Sequence, residues 1–196
     1  MKIAVTGASG FVGKHVLAAL RTHDVEIYAV TRDASHLNNG IDPSIRVVEM
    51  DIAHPDANAF EQLGCPDVLI HLAWDGLPHY KSLHHFETEL PRQYNFLKGL
   101  IESGLPALLV TGTCFEYGMQ SGELSEDMLA QPNNPYGYAK NALRQQLQYL
   151  QSTRPFKLTW ARLFYMFGEG QAANTLYSQI RAAALRGDKV LSLIHI

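Results

Sequence analysis

The chain opens on a short apolar run, residues 2–6, that ends at Gly7 and is followed by Gly7-Ala-Ser-Gly10-Phe-Val-Gly13. After the third glycine, Val16, Leu17 and Leu20 continue Val12 at helical spacing. A strand, three spaced glycines and a helix have one physical reading. Gly7 makes the tight turn, Gly10 lets a pyrophosphate approach backbone N–H groups, and Gly13 lets helix and strand pack closely. The open N–H groups and positive dipole end of the helix then favour phosphate. Such a triplet inside a first βαβ unit predicts a dinucleotide site, whereas a bare glycine triplet would not.

The rest of the chain supports that setting. Apolar runs at residues 25–31, 46–50, 68–73, 105–111 and 158–164 read as buried strands. They alternate with helical patterns at 11–21, 84–103 and 135–152, with Gly104 placed to end the second of these. Pro91 must sit near that helix's start or kink it. Alternation of this kind predicts an α/β fold, a doubly wound parallel sheet of Rossmann type. Residues 1–168 are expected to form the NAD(P)-binding domain. Residues 169–196 are expected to begin a substrate-binding lobe that is incomplete, because the chain stops on the apolar stretch Leu191-Ser-Leu-Ile-His-Ile196. That stretch also looks like translated read-through.

Composition excludes other classes. With 196 residues and 46% hydrophobic content the chain can bury a core, so disorder is out. A net charge of −3 without a polybasic stretch argues against nucleic acid as the ligand. Two cysteines, Cys65 and Cys114, build no disulfide framework, and a reducing, cytoplasmic setting is expected. No run is long enough for a membrane span. Nine histidines include His79, His84 and His85 close together, but no carboxylate stands at ligand spacing, so no metal is expected.

Two further sets of residues carry chemistry. At the end of the second run stands Thr31, where an acid would hold the ribose 2′-hydroxyl of NAD. Arg32 beside it can pair with a 2′-phosphate, which favours NADP, although a solvated arginine beside Asp33 is the plain alternative. Tyr136-Gly-Tyr-Ala-Lys140 puts a tyrosine and a lysine on one helix face. A phenol of pKa about 10 becomes useful near neutrality only if lysine and an oxidised nicotinamide lower it. Thr113, just past an apolar strand, can hold a substrate oxygen against Tyr136. Trp74 and Tyr80 could floor a sugar pocket or simply pack a loop.

These residues together resemble the NAD(P)-dependent epimerase/dehydratase family of extended short-chain dehydrogenase/reductases. The likeness covers residues 2–188 and is anchored on the glycine loop, Asp51-Ile52, His71-Leu-Ala-Trp74, Thr113 with Tyr117-Gly118, Tyr136, Lys140 and Arg162–Gly168. It implies that Gly7, Gly10, Phe11, Val12, Arg32, Asp51, Ile52, Leu72, Ala73 and Lys140 contact the cofactor, with Asp51 meeting the adenine amino group or else capping a turn. It implies catalysis by Thr113, Tyr136 and Lys140, and contact of Asn174 with a nucleotide-sugar diphosphate.

Departures narrow the chemistry. Cys114 and Phe115 stand where 4,6-dehydratases carry Asp-Glu, and Glu116, one place later, is expected to point away. Tyr165 and Glu89 replace two of the family's asparagines. Single-carbon carbonyl–alcohol chemistry is what the resemblance leaves. The runs 71–80 and 112–118 look like those of 4-ketoreductases that make 6-deoxytalose-type nucleotide sugars. A 4-epimerase uses the same trio, and a non-catalytic NADP sensor of the same fold would be expected to lack it. The expected partner is a nucleotide sugar, with room for a homodimer.

Overall fold

The computed structural model describes residues 1–38 and 41–188; the expected read-through segment, Leu191 to Ile196, lies outside them. Chain contacts divide the protein into a unit Met1–Phe164 and a second beginning at Tyr165. The first unit is a six-stranded sheet of β1 (Lys2–Thr6), β2 (Glu26–Thr31), β3 (Arg46–Glu49), β4 (Val68–His71), β5 (Ala107–Thr113) and β6 (Lys157–Leu163). Every pairing is parallel and the order is β3-β2-β1-β4-β5-β6. This is the doubly wound arrangement expected, with a crevice at the carboxyl ends of β1 and β4, where the order reverses.

Side chains alternate across the strands, so each run feeds two cores. Ile3, Val5, Ile27 and Ala29 join Leu17 of α1 (Phe11–Leu20) in one. Ala4, Tyr28, Val30, Leu69, Leu108 and Val110 join the other, with Phe96, Leu97 and Leu100 of α4 (Leu90–Glu102) and Leu143, Leu147 and Leu150 of α5 (Pro135–Thr153). Each fully buried leucine or phenylalanine contributes about 1.5–3 kcal/mol. Two short helices, α2 (Ser35–Asn38) and α3 (Ala59–Gln62), carry too little periodicity to read in advance.

The single long helix expected over 84–103 is two windings. Residues His85–Glu89 form a wide π turn, and α4 begins at Leu90 with Pro91 in its first turn. Pro91 has no N–H to give, and the first turn is where that costs least. β5 runs two residues further than expected, because its register with β6 holds through Thr113↔Leu163. Thr113 is therefore the last residue of β5. In the second unit, α6 (Leu176–Arg186) starts at Thr175, whose hydroxyl accepts from the Ser178 N–H, and ends at Gly187 in the left-handed conformation.

Candidate active site

The glycine loop turns as its residue types require. Gly7 has φ +68°, and a Cβ there would lie 2.8 Å from the Ala73 nitrogen. A Cβ on Gly13 would lie 2.3 Å from the Gly7 carbonyl oxygen, so α1 can sit on the loop only because residue 13 is glycine. Gly10 is the N-cap of α1 and supplies no side-chain cap, which leaves the first-turn N–H groups facing the crevice mouth. The crevice encloses about 330 Å³. Of the expected cofactor residues, Gly7, Gly10, Arg32, Asp51, Ile52, Leu72 and Ala73 line it. Phe11, Val12, Gly13 and Lys140 do not. Phe11 and Val12 start α1 at the loop's exit, and Gly13 lies beneath the loop. A loop without Cβ atoms at Gly7 and Gly10, closed by a helix N-terminus and flanked by an arginine, fits a dinucleotide's phosphates.

Arg32 is largely exposed, with Nη2 4.0 Å from Asp75 Oδ1 across the crevice mouth. Asp51 already spends both oxygens on its own turn. One accepts from the Ala53 N–H at 3.0 Å and the other pairs with His54 Nδ1 at 2.8 Å, which holds the carboxyl below its ordinary value. The turn-capping alternative for Asp51 is thus realised in this structure.

Behind the crevice lies a buried polar chain that sequence reasoning missed. Gln93 donates from Nε2 to Glu89 Oε2 at 2.9 Å, which turns its oxygen toward His71 Nε2 at 2.7 Å. That nitrogen must therefore carry the proton, and His71 Nδ1 accepts from the Thr6 hydroxyl at 2.8 Å. Burial pushes the imidazole down to about 3. Glu89 also accepts the Asp75 N–H at 3.1 Å. The four-residue spacing of Glu89 and Gln93 was the available signal.

The residues expected to be catalytic come together at the carboxyl end of β5. Asn134 caps α5 by accepting the Gly137 N–H at 2.9 Å, and a Cβ on Gly137 would lie 2.6 Å from the Phe115 carbonyl oxygen. The missing Cβ lets the start of α5 press against the turn after Thr113. Tyr136 then lies beside the Thr113 side chain and sits among Tyr80, His85, Trp74 and Phe115, at ring separations of 5.5, 5.2, 5.9 and 6.3 Å. Burial foremost, with Tyr80 and Glu116, raises the phenol's pKa, while the Thr113 hydrogen bond lowers it. Lys140 Nζ donates to the Thr111 carbonyl at 2.8 Å and lies 4.1 Å from the centre of the Trp74 ring. Burial brings this ammonium down to about 7 against the upward pull of Glu116 and Glu89.

Trp74 also donates from Nε1 to His85 Nδ1 at 3.1 Å, so it supports the lysine and borders the crevice at once. Tyr80 contacts Tyr136 directly and gives its carbonyl to the Tyr136 N–H at 3.2 Å. Asn174 is exposed in the second unit. Cys114 is half-buried.

Two expectations are corrected. Glu116 does not point away; it is fully buried beneath Thr113 and accepts the Thr113 N–H at 2.8 Å. Thr113-x-x-Glu116 is a capping-box spacing, the signal that went unread. Carboxylates do approach a histidine, for His84 Nε2 lies 3.7 Å from Asp75 Oδ2 and 3.9 Å from Glu89 Oε1. Arg92 lies 3.8 Å from that same Glu89 oxygen and Arg32 lies 4.0 Å from the other oxygen of Asp75, so both carboxylates also face an arginine.

Comparison with known proteins agrees with this geometry. The NAD dependent epimerase/dehydratase family matches residues 3–194. The chain belongs to that family. A dTDP-6-deoxy-L-talose 4-dehydrogenase (NAD(+)) of Aggregatibacter actinomycetemcomitans is 29% identical over 190 residues, covering 93% of this chain and 68% of that protein. A GDP-6-deoxy-D-talose 4-dehydrogenase of the same organism is 26% identical over 200 residues, covering 98% of this chain and 62% of its own length. The solved UDP-glucuronic acid 4-epimerase of Bacillus cereus in complex with NAD superposes with a TM-score of 0.79 at 23% identity, over 96% of this chain and 65% of that one. The family member described here thus spans about two thirds of the length of these relatives. Among the described residues no helix is long and apolar enough to cross a membrane.

Proposed function

We propose that the protein reduces a 4-keto-6-deoxy nucleotide sugar at C4, using a nicotinamide cofactor held over the glycine loop. The observation that carries this reading is the meeting of Thr113, Tyr136 and Lys140 at the end of β5, beside Trp74, which lines the crevice. The two talose dehydrogenases among the relatives support the sugar class.

When bound, reduced nicotinamide supplies the hydride to the carbonyl carbon. Tyr136 gives its phenolic proton to the carbonyl oxygen, so that C=O becomes CH–OH and a phenolate is left behind. Burial keeps the phenol protonated before the step, and a positive charge beside it must lower its pKa for the proton to leave. Thr113 holds the oxygen and steadies the phenolate by donating its hydroxyl. Lys140, held under Trp74, is the ammonium that would hold the nicotinamide ribose when the cofactor is bound. Arg32, largely exposed just after β2, favours a 2′-phosphate and hence NADP. Asn174 would meet the diphosphate from the substrate lobe that begins in the second unit, and a homodimer and a cytoplasmic setting fit this reading.

The test is NADPH and NADH oxidation with a panel of 4-keto-6-deoxy nucleotide sugars. Consumption of cofactor with formation of the 4-hydroxy sugar is expected. Interconversion of 4-hydroxy epimers without net cofactor consumption would make the protein a 4-epimerase instead.

A further inference from the structure

The carboxylate of Glu116 is wholly buried, yet it belongs to no step of the proposed reaction. Its surroundings are all donors. Thr113 N–H reaches one oxygen at 2.8 Å and Trp160 Nε1 reaches the same oxygen at 3.0 Å. Arg162 Nε reaches the other oxygen at 2.9 Å, and Arg144 Nε stands 4.0 Å away. Room for this knot depends on Gly112, where a Cβ would lie 2.2 Å from Trp160 Nε1 and 2.3 Å from Glu116 Oε1. A buried ion pair is poor value as stabilisation, since apolar residues of equal volume often do as well or better. A carboxylate kept here needs another reason.

That reason lies in Thr113. The side chain of Thr113 accepts the Phe115 N–H at 3.3 Å, while its backbone N–H is tied to Glu116, so both ends of the residue are fixed by one turn. An oxygen that accepts from Phe115 keeps its own proton to donate, and the partner in reach is the Tyr136 hydroxyl. We infer that Glu116 is the positioning residue of the site, its carboxylate anchoring the end of β5 to β6 so that Thr113 stays in the one rotamer that meets Tyr136. Trp160 and Arg162 of β6 carry the anchor across the sheet. The inference rests on reading Thr113 and Tyr136 as the reacting pair. A misplacement of about 1 Å at such a pair can cost about 10²-fold in rate.

The test compares Glu116→Met with Glu116→Gln, two replacements of nearly equal size of which only glutamine retains an acceptor for the Thr113 N–H. The readout is the Thr113 χ1 rotamer, taken from three-bond couplings of its methyl carbon to nitrogen and carbonyl in the isotopically labelled chain. A single rotamer is expected in the unmutated protein, averaging in the methionine variant, and restoration toward the single rotamer in the glutamine variant. Indistinguishable couplings in the two variants overturn the inference. Should the methionine variant fail to fold, the unmutated protein decides by itself. A scalar coupling from the Thr113 nitrogen to the Glu116 carboxyl carbon, with unaveraged χ1, upholds the inference, and averaged χ1 overturns it. A locked Thr113 in a protein that reduces no keto sugar nucleotide leaves this inference standing and removes the reaction assigned above.

Discussion

Lys140 Nζ lies 4.1 Å from the centre of the Trp74 ring and donates to the Thr111 carbonyl at 2.8 Å. The lysine is therefore held by an aromatic face and a strand carbonyl, while burial brings its pKa down to about 7 against the pull of Glu116 and Glu89. A desolvated ammonium over an indole contributes up to about 2 kcal/mol. Trp74→Leu keeps an apolar side chain but removes the π face. It should lower unfolding free energy by about 1–3 kcal/mol in urea titration, packing included, and weaken cofactor binding. Unchanged stability and affinity would mean that Trp74 does not support Lys140.

Tyr136→Phe removes the transferable proton and little volume. Cofactor affinity, followed by quenching of protein fluorescence, should be preserved. Turnover on keto sugar nucleotides should fall by about 10²-fold or more. Turnover near that of the unmutated protein would take Tyr136 out of the mechanism.

Arg32 stands at the crevice mouth with the Asp75 carboxylate 4.0 Å away. NADPH is expected to bind more tightly than NADH, and Arg32→Ala should erase most of the difference. Titration calorimetry with both cofactors measures this directly. Equal affinities before mutation would assign Arg32 to solvent.

Gly137→Ala would drive a methyl group to 2.6 Å from the Phe115 carbonyl oxygen. Backbone must yield, at about 1–3 kcal/mol by the usual cost of overpacking. The same shift draws Tyr136 away from Thr113, so turnover should fall with stability while the glycine loop still binds cofactor. A neutral alanine, by thermal unfolding and by rate, would show that this approach is slack.

His71 gives a pH prediction. Its imidazole takes up a proton near 6.5 in the unfolded chain but only at about 3 when folded, because burial disfavours the charge. The unfolded state binds more protons between those values, so stability falls as pH drops from 6.5 toward 3. His71→Gln removes this titration. Its unfolding free energy should decline less steeply over that window than that of the unmutated protein. Parallel declines would show that His71 titrates alike in both states.

What was legible in the sequence was local. The β1–glycine loop–α1 unit, the shared face of Tyr136 and Lys140, and the strand–helix alternation each depend on neighbours within a few residues, where backbone sterics and periodicity act directly. The sequence by itself thus determined the fold class and the residues of the glycine cradle. Only the tertiary structure decided the polar groups behind them. Thr6 meets His71, His71 meets Gln93, Lys140 meets Thr111, and Glu116 meets Arg162 across separations of 65, 22, 29 and 46 positions. Strand order and close approach at Gly112 and Gly137 bring those pairs together. A buried charge or imidazole finds its partner through the packing of distant segments, and no spacing along the chain records that meeting.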